Sequence, residues 1–166
     1  MAIIEIEVIG YHDTIHTMTI NGKKPKLKKS KNQRIYTADC QGPTAEIIMY
    51  KTHNYTGKNW FWWSLLYYFV SIFGIFDSRQ DPRCSVIDCR LQIPLNENTT
   101  QIKITPNKFQ DNTKFIEIES NTNITEISNT QYLDKVGQAR HKKMKKIKLG
   151  LTLSSAILAI LLIVLI

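Results

Sequence analysis

Apolar and polar positions alternate from the first residues onward. Residues 2–9 set isoleucine and valine against glutamate with a period of two, the mark of a half-buried strand. Gly10 with Tyr11, His12 and Asp13 reads as a turn. Alternation resumes over 14–20, and Asn21-Gly22 gives a tight-turn signal. Further strands are predicted at 33–39 and 44–51, parted by Gly42-Pro43, and again at 84–93, 100–105, 113–119 and 123–128. Eight short strands broken by Asn, Gly, Pro and Asp predict a mainly β domain over 1–128, an antiparallel β-sandwich or partly open barrel.

Two stretches break the period. Trp60–Phe76 has no formal charge and contains every tryptophan of the chain. Its weakly polar positions, Ser64, Tyr67 or Tyr68, Ser71 and Gly74, recur at three- and four-residue intervals, so a helix with one thin polar stripe is expected. This aromatic helix is an insertion (58–77) between the fourth and fifth predicted strands. Tryptophan and tyrosine suit the membrane–water boundary, so Trp60, Phe61, Trp62, Trp63, Tyr67, Tyr68, Phe69, Phe73 and Phe76 are predicted to contact a membrane. The competing expectation is a core helix whose aromatics fill the protein interior.

The second break is Leu149–Ile166, 18 residues without a charge. As a helix it would rise about 27 Å, close to the hydrocarbon thickness of a bilayer. Only Thr152, Ser154 and Ser155 are polar within it, so a transmembrane helix is predicted over 149–166, preceded by a basic stalk over 129–148, either a polar helix or semi-flexible, that Gly137 weakens. The spacings Gly150-x-x-x-Ser154 and Ser155-x-x-x-Ala159 suit helix packing.

Charge then sets the orientation. The chain carries a net charge of +8, from 22 basic and 14 acidic residues. Seven basic residues lie in 21–34 and seven in 135–148, so the remainder holds 22 − 14 = 8 bases against 14 acids. Lysines directly before an apolar span favour the cytosolic side, which predicts a single-pass protein with its N-terminal domain cytosolic and its helix as a tail anchor. Lys23, Lys24, Lys26, Lys28 and Lys29 form one predicted contact with anionic lipid; Lys142, Lys143, Lys145, Lys146 and Lys148 form the other. Nucleic acid is disfavoured, because the first lysine run has no interleaved aromatics before Tyr36. If Trp60–Phe76 crossed the bilayer, the β domain would be split, so this segment should lie in the interface, re-enter, or pack on the tail. The sequons at Asn54, Asn98 and Asn123 would go unused in that topology, and no leader precedes the first strand.

Catalytic signals are weak. His12 and His16 imitate a zinc pair, but on a strand they would stand about 13 Å apart. Cys40, Cys84 and Cys89 suit neither a disulfide framework nor a metal site and read as reduced thiols. Cys40 lies in a turn where a thiol could be exposed, yet a structural role is preferred. No cofactor or metal is expected. The sequence thus predicts a membrane-anchored, non-catalytic adaptor or accessory subunit, with another integral membrane protein as a candidate partner. Peripheral lipid binding or remodelling is the first alternative, and an enzyme with an unrecognised site is the second.

Overall fold

The computed structural model describes residues 2–10, 17–29, 34–72, 83–95 and 99–165. It divides into two compact units: Met1–Thr52 with Ser85–Leu133, and His53–Cys84 with Asp134–Ile166.

The first unit is mainly β. Its described strands are β1 (Ala2–Val8), β2 (Thr17–Ile20), β3 (Lys26–Lys29), β4 (Arg34–Cys40), β5 (Thr44–Lys51), β6 (Ser85–Pro94), β7 (Thr100–Pro106), β8 (Ile116–Ser120) and β9 (Thr125–Leu133). Alternation does what it predicts: β1 buries Ala2, Ile4, Ile6 and Val8 and turns Ile3, Glu5 and Glu7 to the other side. One sheet has the order β3-β4-β1-β7-β8 and the second β2-β5-β6-β9. Ile4, Ile6, Ile102 and Ile104 from the first sheet share a core with Ile47, Met49, Leu91 and Ile93 from the second. Each such side chain contributes about 1.5–3 kcal/mol on leaving water. This is a sandwich of two sheets; it does not close into a barrel.

Three expectations need correction. The sandwich is not wholly antiparallel, since β1 and β7 pair in parallel, Ile4 with Thr100 through Val8 with Ile104. The long path from β1 to β7 supplies the crossover that a parallel pair requires. The lysine run contributes an extra strand, β3, which pairs with β4 at the sheet edge; lysine at an edge discourages pairing with other chains. Asn21 and Gly22 make the predicted turn with φ of 47° and 73°, closed by Ile20 N–H donating to Lys23 O at 2.8 Å and Lys23 N–H to Ile20 O at 3.0 Å.

The third correction concerns 129–133, expected in the stalk, which completes β9. Asn129 and Gln131 look like surface residues but are buried. Asn129 Oδ1 accepts from Phe115 N–H (3.1 Å) and Ile116 N–H (3.0 Å), and its amide donates to Ile116 O at 2.9 Å. Gln131 Nε2 lies within 3.2 Å of Lys108 O, Thr113 Oγ1 and Lys114 O. Buried amides are tolerated when paired in this way.

From Lys135 onward the stalk takes the helical form, and Gly137 does not interrupt it. In the second unit α1 (Trp60–Ile72) accompanies one continuous 31-residue helix, α2 (Lys135–Leu165). Asp134 caps α2, its Oδ1 accepting from Val136 N–H at 3.0 Å. α2 is long and apolar enough to cross a membrane, and no part of its apolar window is buried.

Candidate membrane-facing site

The second unit is organised by the first turns of α2. Asp134 Oδ2 lies 3.1 Å from His53 Nε2, while His53 Nδ1 accepts from Tyr55 N–H at 3.2 Å. That pairing puts the imidazole proton on the nitrogen facing Asp134. A Cβ on Gly137 would overlap the His53 ring and come 2.8 Å from Asp134 Oδ2. The glycine expected to weaken a stalk is instead what lets the helix approach His53.

The excursion from His53 to Cys84 begins and ends on that same turn. Asp134 N–H donates to Cys84 O at 3.1 Å, and Gln138 Nε2 donates to Arg83 O at 2.9 Å. Cys84 sits there with φ of 52°, uncommon for a non-glycine residue. The segment therefore does not run from one end of α2 to the other.

Arg140 fastens the start of the excursion. Its Nη1 donates to Tyr55 O at 2.8 Å and to Gly57 O at 3.3 Å, and its guanidinium lies 5.5 Å from the Trp60 ring centroid. Tyr55, Cys84 and Met144 are buried together, with Trp60, Phe61, Leu65 and Ile147 packed around them. His141 meets the edge of the Tyr55 ring at 5.0 Å. Burial, reinforced by Lys148, Lys145 and His53, holds the His141 imidazole below its ordinary pKa.

α1 and α2 run parallel. Trp60 lies beside Arg140 and Tyr68 beside Lys148; each step is eight residues, about 12 Å of helix. Tyr68 Oη and Thr152 Oγ1 are 2.8 Å apart. Thr152 gives its own proton to Lys148 O at 2.9 Å, so Tyr68 is the donor between the hydroxyls. Of the three placements considered for the aromatic segment, described residues 60–72 take the one packed along α2.

Polarity across α1 is inverted relative to a helix of a water-soluble protein. Its one buried side chain is Ser64, and Tyr68 turns its hydroxyl to α2. Trp62 (68% exposed), Trp63 (55%), Leu66, Phe69 and Ile72 (61%) face outward. Because Trp62, Trp63 and Phe69 lie on the surface, α1 is not a core helix with all its aromatics inside.

No family model, curated protein or solved structure matches the chain.

The remaining predicted site residues fall in different places. Trp60 and Phe61 are partly buried in the small core, and Tyr67 is half-buried beside Trp63 with ring centroids 6.4 Å apart. Phe73, Phe76, His12 and His16 lie outside the described residues. On α2, Lys142, Lys143, Lys145 and Lys146 are exposed; Lys148 is half-buried, and burial lowers its pKa. The first lysine run belongs to the other unit. There Lys23, Lys24, Lys26 and Lys28 line a groove of about 750 Å³ with Thr37, Asp39 and Gln41, and Lys29 ends β3. Across that sheet, pairing aligns Lys28, Ile35, Glu7, Lys103 and Glu119 in one row, with Lys103 and Glu119 bridged at 3.0 Å.

All three cysteines are buried. Cys40 ends β4 rather than standing open in a turn, and burial, then Asp39, raises its thiol pKa. Burial, helped by Glu126 and Asp88, pushes the Cys89 thiol up to about 12. Sequence reasoning missed His53, Asp134, Gly137 and Arg140. The sole trace of this cluster in the sequence is Asp134 placed one residue before a helical run.

Proposed function

We propose that this protein is a membrane-anchored adaptor or accessory subunit, in which α2 spans a bilayer and the β-sandwich is held at its cytosolic face. The observation that carries the reading is the inverted polarity of α1 beside the unburied apolar run of α2. Water penalises outward tryptophan, leucine, phenylalanine and isoleucine, whereas a bilayer rewards them.

The parallel register supports a graded depth. Trp62 and Trp63 fall level with the α2 lysines, Tyr67 and Tyr68 with Lys148, and Phe69 and Ile72 with the first apolar turn. That order matches an interfacial aromatic belt above hydrocarbon. Lysines on the near side of the span favour the cytosolic orientation. On this register α1 enters only the cytosolic leaflet.

The surface offered to a partner is the outer side of the five-stranded sheet, where lysines at the β3 edge adjoin the Glu7, Lys103 and Glu119 row. Purification of the intact chain from membranes in mild detergent tests the reading. A stoichiometric integral protein should co-purify, and the double charge reversal Glu7→Lys with Glu119→Lys should release it without freeing the chain from the membrane. Recovery of the intact chain in the supernatant after membranes are pelleted would refute the anchoring.

A further inference from the structure

We infer that Lys148, set against the Tyr68 ring, is the centre of a site for the phosphate of an anionic phospholipid, an inference that rests on the membrane reading above. Lys148 differs from its neighbours in α2. Its ammonium lies 5.4 Å from the centroid of the Tyr68 ring, and it is half-buried where Lys142, Lys143, Lys145 and Lys146 stand in the open.

The ring is held in place for this contact. Tyr68 donates its proton to Thr152 Oγ1 at 2.8 Å, and Thr152 donates to Lys148 O at 2.9 Å. A cation placed over a fixed aromatic face is held electrostatically, the more strongly when desolvated. Among the described residues no acceptor takes up its three N–H groups.

Nothing in either helix supplies one. Neither Trp60–Ile72 nor Lys135–Leu165 contains an aspartate or glutamate, and Asp134 lies 14 residues before Lys148, about 21 Å along the helix. Among the described residues Lys148 has no ion-pair partner. Lys145 lies one turn away on the same helix, and after burial these two lysines are what lower the His141 pKa. A partly desolvated cation with a second lysine nearby, and with no acid among the described residues of either helix, suits an external anion. Because Lys148 immediately precedes the apolar run, the anion at that depth is a headgroup phosphate. Zwitterionic lipids carry a cation that these lysines repel, so net anionic lipids are favoured.

The test uses the intact chain in nanodiscs of phosphatidylcholine with an equal share of phosphatidylserine, read by mass spectrometry of the released protein with its retained lipids. Wild type should retain phosphatidylserine over phosphatidylcholine. Lys148→Gln should lower that preference about tenfold and Tyr68→Leu should lower it as well, whereas Lys142→Gln, at an exposed lysine, should leave it within about twofold. The His141 pKa, followed by NMR, should rise when phosphatidylserine is present, and Lys148→Gln should abolish that rise. Equal losses in Lys148→Gln and Lys142→Gln would reduce the effect to diffuse attraction and overturn the site. Displacement of the lipid by millimolar glycerol 3-phosphate would overturn the lipid as its ligand. A wild-type chain that incorporates without retaining anionic lipid refutes the site alone; one that fails to incorporate refutes the membrane reading and the site together.

Discussion

Arg140→Gln is the sharpest probe of how α1 is held to α2. The guanidinium makes one short bond to Tyr55 O (2.8 Å), a longer one to Gly57 O (3.3 Å), and stacks over Trp60 at 5.5 Å. A hydrogen bond to a charged group contributes about 1.5–3 kcal/mol, and the cation–π contact about 0.5–1 kcal/mol at a partly exposed position. The longer bond adds little. The variant should therefore weaken docking of 55–61 on α2 by about 2–4 kcal/mol. At about 1.4 kcal/mol per decade, amide protection in α1 from Leu65 to Tyr68 should fall roughly 30- to 700-fold. Hydrogen exchange of the intact chain in detergent micelles reads this directly, with the β5 and β6 amides as internal reference. Arg140→Lys should fall between the two, keeping the charge but losing the planar fork. Unchanged α1 protection in Arg140→Gln, with the reference amides steady, would refute the claim that this side chain fastens the helix. An equal loss in α1 and the sheet would refute the independence of the two units.

Other outcomes follow from single contacts. Gly137→Ala should destabilise the second unit by about 1–3 kcal/mol, the usual cost of overpacking, read as faster exchange in the first turns of α2; the new methyl would strike His53. Asn129→Ala should cost about 2–4 kcal/mol in denaturant unfolding of the sandwich, because the Phe115 and Ile116 amides would lose a buried acceptor. Lowering the pH should weaken the second unit from about pH 6.5 downward. The folded His141 resists a proton that the unfolded chain accepts, so stability rises with pH through that window and is full above it. His141→Gln should flatten this slope in a pH series of exchange rates. Cys89 should resist alkylation at pH 8 in the native chain, with its thiol held protonated at about 12, and react once unfolded.

Period and composition determined a great deal by themselves. Alternation located the strands because one face of each is buried in a shared core, and a side-chain period of two leaves no other register. The charge-free run of α2 and its lysines were legible because length and hydropathy alone decide whether a helix suits a bilayer. Hidden from the sequence were features that depend on distant partners. Asn129 and Gln131 look solvated until the backbone of 108–116 closes over them, and Gly137 looks like a helix breaker until His53 arrives 84 residues from its own position in the chain. Parallel pairing of β1 with β7 depends on how the intervening strands divide between two sheets. The aromatic segment shows the division most clearly: its sequence fits a core helix and a membrane helix alike, because both have a greasy face and a polar stripe. Only the packed structure shows which face is covered. Tyr68 turns its hydroxyl to α2 while Trp62 and Trp63 stay exposed, because the hydroxyl partner and the Arg140 clamp on Trp60 both lie on α2, on residues that local periodicity cannot bring together.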